Sequence, residues 1–347
     1  MEEKLKTKYP IVFGLVTILM LVVSLLPIAR PQTAQASPGP LFWESVPTPT
    51  YYPNPGWILK SPSDVDRIAI GSDGATFYAL DIAAGDYTAQ TGGRQILYKS
   101  TNAGITWSDK IGVNLYNAMA QALQLTGGAT GDMYIWDVVV APDDPNFIAV
   151  VTNHVANILP TNVWISTTGG TLWMNTSAYT DTFVPALPAT IISAIDISPS
   201  YMGPLGTTHD IAIGTRNLVG AGAILMVSYP IGVGAWTNQG FDPPTPLVGE
   251  DVLAIKFSPS YSGDFCLVVV SAENAAIVAG NTWLHAGFHD VILNTTVWDT
   301  AIGAHFTAYP VEVAAATNAS PGANQIVSAD LELVSDWNGD DPRSRKS

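Results

Sequence analysis

The chain has 347 residues, with 30 glycines, 25 prolines and only 12% charged residues, a composition that favours turns and disfavours long amphipathic helices. Its formal net charge is −15 at pH 7, so it would repel nucleic-acid phosphates and anionic lipid headgroups, and we expect neither as a partner. The apolar share of 47% excludes a disordered chain, and short β-branched runs between turn residues indicate an all-β protein.

Residues 1–36 have the pattern of an export signal. Lys4, Lys6 and Lys8 precede an apolar run from Ile11 to Ile28, and Ala34-Gln35-Ala36 supplies the small residues that a signal peptidase reads. The run is also just long enough to cross a bilayer, so an uncleaved anchor is the alternative to cleavage after residue 36. We therefore expect a secreted or cell-surface protein whose folded part spans residues 37–347, with membrane contact only through a retained N-terminal segment.

Five tryptophans recur at a nearly constant interval and indicate a repeated structural unit. They are separated by 64, 66, 63 and 62 residues: Trp43, Trp107, Trp173, Trp236 and Trp298. On this period we place four units at residues 57–109, 136–173, 192–236 and 251–299. An insertion rich in helix formers, Leu115–Leu125, predicts a short helix between the first two units.

Each unit predicts four antiparallel strands. The first strand of a unit runs into a proline turn, as in Ser198-Pro199-Ser200-Tyr201. The second strand is apolar on both faces, which is typical of an inner strand: Phe77–Asp81, Phe147–Thr152, Asp210–Gly214 and Phe265–Ser271. The third strand precedes a serine and the fourth begins at the tryptophan. Four such strands per repeat predict the blades of a β-propeller.

The sequence predicts about four complete blades and a partial fifth. We place the first strand of the fifth blade at Gln325–Leu333. A strand at Phe42–Val46 precedes the first complete unit and could close the ring by completing the C-terminal blade. A truncated chain, or a subunit completed by another chain, is the alternative to a small five-bladed ring.

Two of the repeated segments resemble the motif of the Asp-box, or BNR, propellers, whose box reads Ser-x-Asp-x-Gly-x-Thr-Trp. The first match consists of Ser100, Asn102 at the Asp position, Gly104, Thr106 and Trp107, and the second of Ser166, Thr168 at the Asp position, Gly170 and Trp173. A third copy from Ser228 to Trp236 carries one extra residue. The family includes sialidases, sortilin-type receptors, several glycoside hydrolases and photosystem II assembly factors.

The box residues suit a structural role. A hydroxyl and a short polar side chain can bond to nearby backbone N–H groups in a tight turn, while glycine accepts a positive φ and tryptophan packs beneath the turn. In the family the box lies away from the catalytic face, so the resemblance implies the fold and leaves the ligand open.

Catalytic candidates are few. A sialidase-type site would need three guanidinium groups around a carboxylate, and Arg67, Arg94 and Arg216 fall at different strand positions of their repeats. Glycoside hydrolysis needs only two suitably spaced acids, for which Asp137, Asp196 and Asp251 near the first strands are the candidates. We expect such acids more often to satisfy strand-end backbone N–H groups.

Metal-binding patterns are also weak, and we expect no cofactor. His285 and His289 would face one metal on a helix, but the glycine between them indicates a strand or loop, which makes zinc a poor prediction. Asp143-Asp144 and Asp340-Asp341 lie in turns where calcium is an alternative to solvated capping.

The function that the sequence favours is an exported, non-catalytic propeller that binds a glycan or a protein outside the cell. The alternative is an extracellular glycoside hydrolase of the same fold, in which the acids named above would converge in a central pocket.

Overall fold

The computed structural model describes residues 65–81, 96–122, 134–154, 157–178, 190–204, 206–216, 222–230, 236–241, 250–273, 281–303, 306–314 and 328–341. The predicted export signal, the strand at Phe42–Val46 and Arg94 lie outside these ranges. Within them, no helix is both long and apolar enough to cross a membrane.

The described residues form four antiparallel sheets that follow one another along the chain. Sheet 1 contains β1 (Val65–Ile70), β2 (Phe77–Asp81) and β3 (Ile96–Ser100), and sheet 2 contains β4 (Ile135–Val140), β5 (Ile148–His154), β6 (Asn157–Ser166) and β7 (Met174–Asn175). Sheet 3 contains β8 (Ile191–Ile197), β9 (Tyr201–Gly203), β10 (Gly206–Arg216), β11 (Ile224–Tyr229) and β12 (Thr237–Asn238), and sheet 4 contains β13 (Glu250–Phe257), β14 (Cys266–Glu273), β15 (Thr282–Asp290), β16 (Thr295–Trp298) and β17 (Val311–Ala314). The prediction of an all-β protein is confirmed.

Within each sheet the strands pair mainly in chain order, so the first strand of each repeat lies at a sheet edge. The exceptions are β9, which pairs with an extension of β10, and β17, which pairs with β15. In sheet 1 the fourth strand is reduced to a single bridge between Lys99 and Ser108. The second strands β2, β5, β10 and β14 each pair at both edges and are therefore inner strands of their sheets.

The predicted helix forms, but it begins earlier than the sequence indicated. Helix α1 spans Lys110–Ala122 and buries Ile111, Leu115, Tyr116 and Met119, which are spaced to lie on one helical face. These side chains join the apolar core between sheets 1 and 2. A second helix, α2 (Tyr261–Asp264), and a 3₁₀ helix (Asp299–Ile302) are single turns.

Successive sheets pack face to face around separate apolar cores. One core joins sheets 1 and 2, another joins sheets 2 and 3, and a third joins sheets 3 and 4. A fourth core covers the far face of sheet 4, where Cys266, Val268 and Ala286 contact Phe306, Tyr309 and Trp337 from the C-terminal part of the chain.

The regularly spaced tryptophans link each sheet to the preceding repeat. The indole N–H of Trp173 donates to the carbonyl oxygen of Ile111 at 3.1 Å. Trp236 donates in the same way to Thr176, at 3.1 Å, and Trp298 to Gln239, at 2.9 Å. Each acceptor lies three or four residues beyond the tryptophan of the preceding repeat, so the 62–66-residue period marks a series of equivalent contacts between repeats.

The predicted first strand of a fifth blade is not a strand in its described part. The predicted strand was Gln325–Leu333, and residues 328–334 form no ladder. Leu331 and Leu333 nevertheless pack against the far face of sheet 4. The segment therefore lies against sheet 4 as a further sheet would, but it has no strand to pair with among the described residues.

Candidate functional site

The first strand of every sheet carries a β-bulge at a corresponding place. In each case one residue is skipped in the pairing with the second strand, and the skipped residues are Asp66 in β1, Trp136 in β4, Ser193 in β8 and Leu253 in β13. A bulge leaves the extra residue outside the ladder and re-aims its side chain. Each repeat thus has one residue outside the ladder, although Ser193 Oγ lies within hydrogen-bond distance of the carbonyl oxygens of Gly214 and Val252, and Leu253 is buried.

All four bulged residues line one cavity of about 810 Å³. The walls come from the first strands of the four sheets and from the segment Ser328–Leu331. Trp136 is 43% exposed, whereas most apolar side chains of the neighbouring strands are buried. The cavity therefore combines an accessible indole with polar and charged side chains, as small-ligand sites commonly do.

Basic side chains are concentrated around this cavity. The described ranges hold five basic residues, and three of them line the cavity: Arg67, Arg216 and Lys256. The other two, Lys99 and Lys110, lie elsewhere in sheet 1 and helix α1. In a chain of net charge −15, this cavity is the place where acidic and basic groups meet in similar number, because Asp66, Asp137 and Asp330 also line it.

An ion pair joins the first strands of sheets 1 and 2. Arg67 Nη1 lies 3.0 Å from Asp66 Oδ2, and its Nε lies 3.6 Å from Asp137 Oδ1. Arg67 and Asp137 each follow directly after the bulge of their strand, so they occupy the same register position in neighbouring repeats. The guanidinium is half exposed, which limits the contribution of the pair to stability.

A second ion pair joins sheets 3 and 4 at another shared register position. Lys256 Nζ lies 3.4 Å from Asp196 Oδ1, and both residues are the third after the bulge of their strand. Asp196 Oδ2 also accepts a hydrogen bond of 2.9 Å from the backbone N–H of Phe257. Burial raises the pKa of Asp196, an effect that Lys256 partly offsets, and Asp196 in turn raises the pKa of Lys256.

Asp137 and Asp196, two of the candidate acids, occupy different register positions in their strands. The bulge register places Asp137 one residue after its bulge and Asp196 three residues after its own. Asp251 lies two residues before the bulge of β13, opposite Ala272, and is buried. Of these three acids only Asp137 lines the cavity.

Asp137 has the electrostatic setting of a proton-binding group. Burial raises the pKa of its carboxyl to about 6, with Asp66 contributing in the same direction, although Arg67 and the N–H of Val138 act to lower it. Its Oδ1 accepts that N–H at 2.8 Å. Asp137 thus changes charge near neutral pH at the wall of the cavity.

Sequence reasoning missed most of the cavity lining. Trp136, Arg67, Lys256 and Asp330 were not among the candidate site residues. Aligning the first strands of the repeats could have pointed to these residues. The alignment does not show which residue the bulge skips, however, and the bulge shifts the register of every later residue by one.

The two box-like loops, which begin at Ser100 and Ser166, have nearly identical geometry. Ser100 Oγ accepts the N–H groups of Asn102 and Gly104, and Asn102 Oδ1 accepts the N–H of Thr106 at 2.8 Å. Ser166 Oγ accepts the N–H groups of Thr168 and Gly170, and Thr168 Oγ1 accepts that of Leu172 at 2.9 Å. A threonine hydroxyl thus makes the bond that Asn102 makes in the first loop. All of these side chains serve their own turns, which supports the expected structural role.

Ser228 makes a different contact. Its hydroxyl donates to Asp210 Oδ1 at 2.6 Å. Asp210 is fully buried and also accepts the hydroxyls of Tyr201, at 3.0 Å, and Tyr261, at 2.7 Å. Ser228 is thus part of a buried polar cluster between sheets 3 and 4, while Trp236 keeps the inter-repeat bond of the other tryptophans.

A serine, a histidine and an aspartate are aligned within sheet 4. His285 Nε2 lies 2.9 Å from Ser271 Oγ, and its Nδ1 lies 2.8 Å from Asp299 Oδ2. Glu250 Oε2 contacts both Ser271 and His285. Ser271, His285 and Glu250 are fully buried, so a substrate has no access to the hydroxyl. A nucleophilic triad requires a hydroxyl that the substrate can reach, and this arrangement does not provide one.

The acidic turns also use their carboxylates internally. Asp143 Oδ2 accepts the N–H and the hydroxyl of Ser200, which connects sheets 2 and 3. Asp144 Oδ1 accepts the N–H of Asn146. Among the described residues no cluster of three or more histidine, cysteine, aspartate or glutamate side chains could hold a metal ion, and calcium at these turns stays an alternative that the sequence leaves open.

Comparisons with known proteins show no family for this chain. No family model matches the sequence, and no curated protein matches it. A GH74 enzyme from Niastella koreensis is 17% identical over 67% of this chain, with a TM-score of 0.35, and the chain spans only 29% of that enzyme. A protein of unknown function from Dyadobacter fermentans is 11% identical over 67% of this chain and 74% of its own, with a TM-score of 0.24. Likenesses this slight identify neither a family nor an activity.

Proposed function

We propose that this chain is an exported, non-catalytic scaffold of the Asp-box propeller type that binds a glycan in its central cavity. The observation that carries the proposal is the set of four bulges, which direct Asp66, Trp136, Ser193 and Leu253 to one cavity. Four consecutive antiparallel meanders with their first strands around a common space are what a propeller requires.

The chemistry of the cavity suits a carbohydrate. The accessible face of Trp136 can cover the apolar face of a sugar ring, and the side chains of Arg67, Asp137 and Lys256 can exchange hydrogen bonds with hydroxyl groups. A volume of about 810 Å³ is in the range of small-molecule sites, roughly 300–1,000 Å³. A short oligosaccharide fits this combination of size and polarity.

Catalysis is not needed to account for the acids. Asp196 accepts a strand N–H and pairs with Lys256, while Asp251 lies away from the cavity. A glycosidase would use two acids about 5–10 Å apart on either side of the scissile bond. Of the acids named from the sequence only Asp137 lines the cavity, and the two further acids of its wall have partners: Asp66 pairs with Arg67, and Asp330 Oδ1 accepts the N–H of Leu331.

A glycan array probed with the secreted protein tests this function, followed by calorimetry on the strongest glycan. We expect Trp136→Ala to weaken binding by about tenfold or more, equivalent to about 1.4 kcal/mol. Leu172→Ala is the matched control, since it removes a largely exposed apolar side chain outside the cavity.

Two results would contradict the proposal. Undiminished glycan binding by Trp136→Ala would place the site elsewhere. Turnover of aryl glycosides by the parent protein, abolished in Asp137→Asn, would identify a hydrolase instead of a scaffold.

A further inference from the structure

The segment 328–334 has the burial pattern of a β-strand without the pairing of one. Burial alternates along it: Ala329, Leu331 and Leu333 are half-buried, and the residues between them are exposed. This two-residue period is that of an extended strand with one covered face. Leu331 and Leu333 lie against the apolar far face of sheet 4.

The segment also takes the place of a first strand relative to the cavity. Ser328–Leu331 lines the cavity together with β1, β4, β8 and β13. Each of those four strands lies at the edge of its sheet and pairs, on one side only, with the second strand of its repeat. The corresponding side of the segment is where a second strand would add.

The backbone of this segment is unpaired among the described residues. The only hydrogen bonds of its main chain are the local ones from the Leu331 N–H to Asp330 Oδ1 and from the Trp337 N–H to the Val334 carbonyl. An extended backbone with free N–H and C=O groups, held flat against a sheet face, is a template for strand addition. Among the described residues the segment is held by side-chain packing and by no ladder, so both of its edges keep their hydrogen-bonding capacity there.

We propose that the segment 328–334 accepts a β-strand from a partner protein, and that this strand is alternately apolar and basic. Apolar side chains of the added strand would extend over the half-buried Leu284 and Phe288 on the face of sheet 4. Basic side chains would lie on the opposite face, beside Asp330 and Glu332. The Glu332 side chain is 86% exposed, and among the described residues it pairs with Lys256 at 3.8 Å.

Charge argues against a second copy of this chain as the partner. Each copy carries a net charge of −15, and the exposed strand β17 (Val311–Ala314) is itself acidic through Glu312. Two acidic strands placed side by side would repel each other. A basic strand from a partner would instead be attracted to the acidic side chains at this edge.

The test uses three peptides of nine residues against the full-length chain: alternating valine and lysine, alternating valine and glutamate, and the lysine peptide with every backbone nitrogen methylated. We expect the lysine peptide to bind, and we expect it to slow hydrogen exchange at the amides of residues 329–334. The glutamate peptide and the methylated peptide should bind at least about tenfold more weakly, since the first has the wrong charge and the second cannot donate to the ladder.

A charge-reversed variant makes the test specific to this edge. Glu332→Lys should weaken the lysine peptide and strengthen the glutamate peptide, whereas Glu312→Lys, the same change on an exposed acid of β17, should leave both unchanged. Circular dichroism of both variants checks that the sheets are retained.

Four outcomes would overturn the proposal. They are equal binding of the methylated peptide, protection that appears at β17 instead of residues 329–334, protection of these amides that grows with protein concentration alone, and full protection in the free monomer. The third would mean that a second copy is the occupant, and the fourth would mean that the chain pairs with itself.

Discussion

Tyr261, the first residue of helix α2, donates its hydroxyl hydrogen to Asp210 Oδ2 at 2.7 Å, and so connects the turn after the first strand of the fourth repeat to the second strand of the third. Tyr201, in the same Ser-Pro-Ser-Tyr motif one repeat earlier, donates to the other oxygen of that carboxyl group. The repeated motif thus places two tyrosines on one buried carboxyl group. The sequence indicated the repetition but not this convergence.

Tyr261→Phe should destabilise the protein by about 1.5–3 kcal/mol, because it leaves a buried carboxylate oxygen without its donor. Chemical denaturation at pH 7 measures the change. Tyr134→Phe is the control, since that hydroxyl has no hydrogen-bond partner among the described residues, and its effect should stay below about 0.5 kcal/mol. Equal losses in the two variants would mean that ring packing, and not the bond to Asp210, is responsible.

The stability of sheet 4 should fall at alkaline pH because of His285. Burial alone would lower the pKa of this imidazole, but hydrogen bonds to Asp299 and Glu250 raise it to about 9, above its ordinary value of 6.5. The charged form is therefore favoured by folding. Its contribution is complete below about pH 6.5 and disappears as the pH rises through 9, a loss on the order of 3 kcal/mol.

Urea denaturation at several pH values between 6 and 10 tests this dependence, with His285→Gln as the comparison. The variant is expected to be less stable at pH 6 and to lose much less stability toward pH 10. Parallel stability curves for the two proteins would show that other groups cause the alkaline loss.

Asp137→Asn should increase the stability of the protein above pH 6, whereas His285→Gln decreases stability at pH 6. Because the pKa of Asp137 is raised from 3.8 to about 6, the folded chain favours the protonated carboxyl and loses stability as the pH rises from about 4 to 6. Asparagine removes this cost. The gain is roughly 1–2 kcal/mol, less than the full shift implies, since 29% of the side chain is exposed.

Thermal unfolding of Asp137→Asn and the parent protein at pH 3.5 and 7.5 gives the measurement. A higher melting temperature at pH 7.5 with little difference at pH 3.5 is expected. A variant that is less stable at pH 7.5 would show that the ion pair with Arg67 outweighs the cost of burial.

Ser166→Ala should destabilise its loop without changing glycan binding. The serine oxygen accepts two backbone N–H groups in the turn, and one of them, that of Gly170, is buried. We expect a loss of about 1–3 kcal/mol with the affinity for the array glycan unchanged. Ser177→Ala, in the strand-end turn that follows, controls for loss of a serine hydroxyl from the same repeat. A loss of affinity without loss of stability would assign the loop a binding role.

The repeats and their strands could be predicted because tryptophan spacing, proline turns and doubly apolar second strands depend on short-range physics. The helix at Lys110–Ala122 was also predictable, although its start was placed five residues late. The cavity was not, because a bulge is set by pairing between strands and leaves no local composition signal. For the same reason the sequence did not distinguish Asp137 from Asp196 or mark Lys256 and Trp136 as cavity residues.

The segment at residues 328–334 shows a different limit. Its alternation predicted a strand, and Leu331 and Leu333 do cover sheet 4, but the described part of the segment forms no strand. Strand assignment also requires a neighbour with which to exchange hydrogen bonds, and single-segment patterns carry no information about that neighbour.

The four bulged residues lie outside the hydrogen-bond ladders of their sheets. Asp66, Trp136, Ser193 and Leu253 differ completely in chemistry, yet each is skipped by the ladder in the same way. A substitution there leaves the hydrogen bonds between neighbouring strands in place. A mutation at the exposed Trp136 could therefore change the chemistry of the cavity wall while the ladders keep their pairing. Leu253 is buried and Ser193 Oγ bonds to the carbonyl oxygens of Gly214 and Val252, so changes at those two positions would also cost stability.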